Sequence, residues 1–384
     1  MENILDLKKF SDDFENYHPK IFFSSCKIRK RHNKISVVDI NNIKKELYNI
    51  FPNINKPLIT NNFLDINQDF QLNSKFISPK IKRLIIKSTK INLRLAFQVD
   101  NVYLFMDLYF RDVDIKEFIS QLPFLIKIYT FCCKFFSKVK DLKLIFYHMN
   151  IDKVIDFDKK KIINENNVNS GLSSFSNFEE NDNFIMIWRI EEFLKVYIHE
   201  IVHYLGLDFK NRYNFKNLRK MFCLNSDINI SPNEAYTDFL AIIYYMIILS
   251  KGDFKKYDMY LDEQKEFVLE QAAKILNYYE YNNWDEFMNM GSCKNYFSQK
   301  TSVFSYYILK ASLFFNYEQA IQELNNIKNL KAFEEYCQKV LRDEKFKSKI
   351  DKLIKKHSNT KGMSTLRMTC LKDNLLSIEL KNIL

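Results

Sequence analysis

Residues that reverse the chain are scarce in this sequence, which has 5 glycines and 6 prolines among 384 residues. A sandwich or barrel of short strands needs a tight turn roughly every ten residues. Too few turn-formers are present for that, so a mostly helical fold with a limited number of strands is expected. Apolar residues make up 47% of the chain, enough for a substantial core, and the length suits two domains or one large domain with extensions.

Residues 1–90 read as a basic N-terminal extension of uncertain fold. They carry lysine-rich clusters at Lys27–Lys34 and Lys80–Lys90 and an Asn-rich candidate linker at Asn61–Lys75. Ile91–Phe110 is rich in β-branched and aromatic residues around an Asp100-Asn101 turn signal, the pattern of a hairpin. A helix is expected over Ile115–Val139, a buried strand at Leu142–Met149 and another at Asn183–Arg189, with the polar stretch NSGLSS (Asn169–Ser174) between the strands. From Glu191 the period changes. Leu194, Ile198, Ile201 and Leu205 recur at helical steps, and Gly206 follows as a C-terminal cap. Ser231–Ser250 is a second helix, with Ser231 as N-cap and Pro232 as its first residue. The chain is then mostly helical to about Asn359. The expected division is 1–90 extension, 91–250 catalytic domain, 251–360 helical region completing a cleft, and 361–384 tail.

The first of the two helices carries HEIVH. His199 and His203 are two of only six histidines in the chain, and Glu200 stands between them. Residues four apart share a helix face, so both imidazoles can converge on one ion while Glu200 reaches the water that the ion activates. That is the chemistry of HExxH. A buried apolar helix that happens to hold two histidines is the competing reading. Zinc needs a third protein ligand. The spacing HExxHxxGxxH fails, because position 209 is Phe209 and Asp208 is one residue out of register. NEAYTD (Asn233–Asp238) offers a better one. Glu234 can ligate the metal, and Asp238, four residues on, can orient a ligand histidine through its far nitrogen. Against this, Ser231-x-x-Glu234 is also a capping box.

HEIVH followed by NEAYTD, with thirty residues between His203 and Glu234, resembles the gluzincin metallopeptidases, the clan of the thermolysin-like enzymes. The resemblance covers about Asn183–Leu249. It implies an α+β zincin-like catalytic domain, a small mixed sheet plus active-site helix, with a mostly helical C-terminal region. It implies that His199, His203 and Glu234 bind Zn²⁺, that Glu200 is the general base and later acid, and that Asp238 orients a ligand histidine. It also implies that the strand before the helix edges the cleft and pairs with an extended peptide, which here assigns Ile185 and Ile187 to substrate binding. Tyr306 or Tyr307 is then the oxyanion donor. Arg189 is a candidate contact for a substrate carbonyl or carboxylate, with a packing arginine as the competing reading.

The expected activity is therefore zinc-dependent hydrolysis of peptide bonds in a peptide or protein substrate. The alternative is a silent zincin scaffold with a binding or structural role, in a virion or on nucleic acid. A net charge of +11 permits an anionic partner. Asn, Ile, Lys, Phe and Tyr are abundant together, however, the signature of an AT-rich coding sequence such as that of a large DNA virus or a protist, and this accounts for much of the lysine. The seven cysteines fit neither CxxC pairs nor a disulfide framework and read as reduced thiols. The N-terminus lacks the features of a signal peptide, and the longest apolar run, Phe239–Leu249, is too short to span a bilayer. A cytoplasmic setting without a membrane span is expected; oligomeric state is not legible.

Overall fold

The computed structural model describes residues 6–30, 44–45, 47–50, 58–60, 72, 74–110, 115–157, 162–174, 183–209, 213, 215–226, 228, 230–288, 296–326, 330–357 and 364–371. The Asn61–Lys75 linker lies almost wholly outside them, as does most of the tail. The described chain is mixed α and β. It forms two compact units, one built mainly from Lys8–Ile151 with Ser170–Leu207, the other from Asp152–Asn169 with Asp208–Lys372.

The first unit holds a mixed seven-stranded sheet. Its strands are β1 (Ile21–Lys30), β2 (Leu58–Thr60), β3 (Ile91–Val99), β4 (Val102–Phe110), β5 (Leu142–Tyr147), β6 (Gly171–Ser173) and β7 (Phe184–Ile187), in the order β2-β1-β3-β4-β5-β7-β6. The expected hairpin is β3–β4. Val99 pairs with Val102, and Asp100 closes the turn with φ 50°, a conformation that aspartate tolerates better than most residues. Strands β4, β5 and β7 are parallel, and β6 returns antiparallel to β7.

Two expectations are corrected here. The helix expected over Ile115–Val139 is two helices, Ile115–Ser120 and Leu122–Phe135. Pro123 in the first turn of the second cannot supply the N–H that an uninterrupted helix would need, so a new helix starts there. The strand Phe184–Ile187 is not an edge either. Ile185 and Ile187 are fully buried between β5 and β6, and the terminal strand among the described residues is β6, from the NSGLSS segment.

Helices cover both faces of the sheet. On one face Ile81 and Ile85 of the helix Pro79–Ser88 pack on Tyr109, Ile145, Tyr147 and Met186. On the other lies the HEIVH helix, Phe193–Tyr204, with every residue buried. Its Phe193 ring packs 4.5 Å from that of Phe146 on β5, and the Tyr197 hydroxyl donates to the Leu125 carbonyl of Leu122–Phe135 at 3.2 Å. The stretch Phe118–Phe135 has the length and apolarity of a bilayer-crossing helix, but 83% of it is buried in the protein. A sheet-covering core helix meets the same criteria.

The second unit is helical in its larger elements: Pro232–Ser250, Phe254–Tyr278, a π-helical segment Phe304–Leu309 running into Lys310–Phe315, and the pair Leu330–Leu341 and Glu344–His357. A strap at residues 364–371 is tied down by side chains reaching its backbone. Buried Gln264 takes most of the load. Its Nε2 donates to the Met368 carbonyl at 3.2 Å, and its Oε1 accepts from Thr369 Oγ1 at 2.7 Å and from the Cys370 amide at 3.2 Å. Lys274 Nζ donates to the Thr365 carbonyl at 2.7 Å.

Replacing Gln264 with alanine strands several buried polar groups of the strap at once. The expected loss of stability is about 2–4 kcal/mol, read as a lower urea midpoint; an unchanged midpoint contradicts the strap's attachment.

Candidate metal centre

The HEIVH helix places its polar residues on one patch of an otherwise apolar rod. Its end is set by a Schellman motif: Gly206 takes φ 60°, its amide bonds the His203 carbonyl at 2.9 Å, and the Leu207 amide bonds the Val202 carbonyl at 3.0 Å. Glycine is needed at that left-handed position. The expected cap is therefore present, and it stops the helix just beyond His203.

His199, Glu200 and His203 are each 6% exposed. The two imidazoles meet at 76° with ring centroids 4.8 Å apart, and their Nε2 atoms are separated by 3.1 Å. Two nitrogen ligands on one tetrahedral zinc, each about 2.0–2.1 Å from the ion, stand about 3.3 Å apart. The pair therefore has the spacing of two ligands on one ion. A shared N–H···N hydrogen bond would bring two rings together equally well. Imidazole nitrogens are ligands suited to zinc.

Strand β6 adds a residue that the sequence reading did not single out. A Cβ on Gly171 would stand 2.8 Å from Glu200 Oε1 and 2.9 Å from Val196 Cγ1. The backbone of the edge strand thus runs directly over the Glu200 carboxylate, and only glycine permits the approach. The available signal was a glycine inside NSGLSS, in a chain with so few.

In the second unit, Glu234 sits in the first turn of the helix Pro232–Ser250 and is partly buried. It does not serve a capping box. The Ser231 hydroxyl makes no capping bond, and the Ser231 amide donates to Ser305 Oγ at 3.1 Å. The Glu234 carboxylate instead accepts from the Tyr306 hydroxyl at 2.7 Å. Asp238 is fully buried and pairs with Lys310 Nζ at 2.5 Å. Tyr306 and Lys310 thus face Glu234 and Asp238, four residues matching four. Tyr306 belongs to the π-helical segment, a wide turn often found at functional sites.

The other candidates sit elsewhere. Tyr307 is buried, and its hydroxyl donates to the Leu366 carbonyl of the strap at 2.6 Å. Arg189 is fully buried and its Nη1 donates to the Ile151 carbonyl at 3.0 Å, the placement of a packing arginine. Ile185 and Ile187 are core residues of β7. Burial pushes the thiols of Cys132 and Cys133 up, the reverse of what a nucleophile needs.

No family model and no solved structure matches the chain. An uncharacterized protein of Acanthamoeba polyphaga mimivirus is 32% identical over 164 residues, covering 38% of this chain and 39% of the viral protein. The chain thus spans well under half the length of that relative.

Gly171→Ala tests the approach of β6 to Glu200. The added methyl must displace either the strand or the carboxylate, at an expected cost of about 1–3 kcal/mol in chemical unfolding. Wild-type stability with an unmoved Glu200 in a crystal structure contradicts the contact.

Proposed function

We propose that this chain is a zinc-dependent peptidase of the gluzincin kind, with His199, His203 and Glu234 as protein ligands. The observation that carries the reading is the pair of buried Nε2 atoms 3.1 Å apart with Glu200 on the same helix. The donor set supports zinc, and zinc in such a site polarises a carbonyl and lowers the pKa of water to about 7.

The residues of the chain then have distinct tasks. The edge strand β6 offers its backbone to an extended peptide, which adds to the sheet as a further strand. Because Gly171 has no side chain, the strand with which such a peptide would pair lies close to Glu200. Glu200 takes a proton from the attacking water and returns it to the leaving amine, the two halves of general acid–base catalysis. The Tyr306 hydroxyl, already beside Glu234, donates to the oxygen that gains charge as the carbonyl carbon becomes tetrahedral. Asp238 accepts from a ligand histidine and fixes its tautomer. The AT-rich composition and the mimivirus relative support a viral source, with the peptidase acting in the virion or in host cytoplasm.

Peptide-library hydrolysis by zinc-loaded protein tests this. Glu200→Gln is expected to keep its zinc and lose at least about a hundredfold in kcat/KM. Tyr306→Phe is expected to lose on the order of a hundredfold in kcat, whereas Tyr307→Phe stays within a few-fold. Equal hydrolysis by wild type and Glu200→Gln, or none by wild type, contradicts the assignment and leaves a zincin scaffold without catalysis.

A further inference from the structure

Lys310 begins the helix that continues the π-helical segment. Its side chain is 1% exposed and that of its partner Asp238 is 0% exposed. Besides the 2.5 Å bond to Asp238 Oδ2, its ammonium donates to the Met368 carbonyl of the strap at 3.2 Å. A buried ion pair of this kind is a poor source of stability, because desolvating both charges offsets most of their attraction. Well-packed apolar residues would hold two helices together as well. What the pair supplies is a penalty for any other arrangement, since a shift of either helix leaves a lone charge in the core.

The pair also has a counterpart one helical turn away. Glu234 bonds Tyr306 and Asp238 bonds Lys310, both across a sequence separation of 72 residues. Two parallel segments are thus joined by two rungs in register. Rotation of the helix by one residue would swing Glu234 through about 100°, away from Tyr306.

We propose that Lys310 is a positioning residue for the metal centre. The buried Lys310–Asp238 ion pair, anchored on the Met368 carbonyl, holds the helix Pro232–Ser250 in the one register that presents Glu234 as a ligand and Asp238 as an acceptor for a ligand histidine. The proposal rests on the zinc reading above. Lys310 touches neither substrate nor metal; it acts through Asp238 and through the helix that carries Glu234.

The test is zinc affinity, measured by chelator competition on full-length wild type, Lys310→Met and Lys310→Gln, with urea unfolding of each in parallel. Methionine keeps the volume and removes the charge. Glutamine keeps hydrogen-bonding reach and stands in should the methionine variant not fold. The expected result is one zinc per wild-type chain and affinity 10–100-fold weaker in the folded variants, with kcat reduced and KM nearly unchanged. A folded variant that binds zinc as tightly as wild type, whatever its urea midpoint, overturns the proposal and leaves Lys310 a packing residue. Failure of both variants to fold overturns it too, by making the pair a determinant of folding alone. A wild type that binds no zinc sinks the metal reading itself, an outcome visible before any variant is measured.

Discussion

Two imidazole nitrogens held 3.1 Å apart in a protein core demand something between them. Each neutral ring offers one donor and one acceptor nitrogen, and two lone pairs pointed at each other repel. A proton shared between the rings or a cation relieves the conflict. Helix geometry forces the meeting, because residues 199 and 203 are one turn apart on a rod whose every side is packed. Both rings are buried.

The surrounding structure removes the freedom that would let this arrangement relax. On the sheet side, β6 crosses so close to Glu200 that position 171 accepts no side chain. That contact limits where the carboxylate can go. At the helix end the Schellman turn at Gly206 stops the rod immediately after the second histidine. In the other unit, Tyr306 and Lys310 hold Glu234 and Asp238 by two bonds one turn apart. Glu234 and Asp238 are therefore held by hydrogen bonds within their own unit, and Glu200 by packing within its own.

Much of this was legible in the residue pattern, and the rest was hidden for definable reasons. Long periodic or apolar segments announced themselves: the β3–β4 hairpin, the HEIVH helix with its Gly206 cap and the helix opened by Pro232. The meeting of the two histidines was legible because helical spacing converts sequence into direction. The edge strand was assigned to Asn183–Arg189 because β-branched and apolar residues mark strands, whereas the edge among the described residues is three residues, Gly-Leu-Ser, too short to carry a period. The break at Gln121 was available in Pro123 but was outweighed by the apolar run around it. Tyr306 and Tyr307 could not be told apart, since their directions depend on a π-helical register that no local signal specifies. Lys310 was invisible as the partner of Asp238 because 72 residues separate them and lysine is abundant in this chain.

The most direct measurement of the central claim is anomalous diffraction at the zinc edge from crystals grown with the ion. The account predicts one strong peak about 2.0–2.1 Å from Nε2 of both His199 and His203, with a Glu234 oxygen completing the protein ligands. Density showing the two rings bonded to each other, with no peak between them and Glu234 turned to Tyr306 alone, would contradict it.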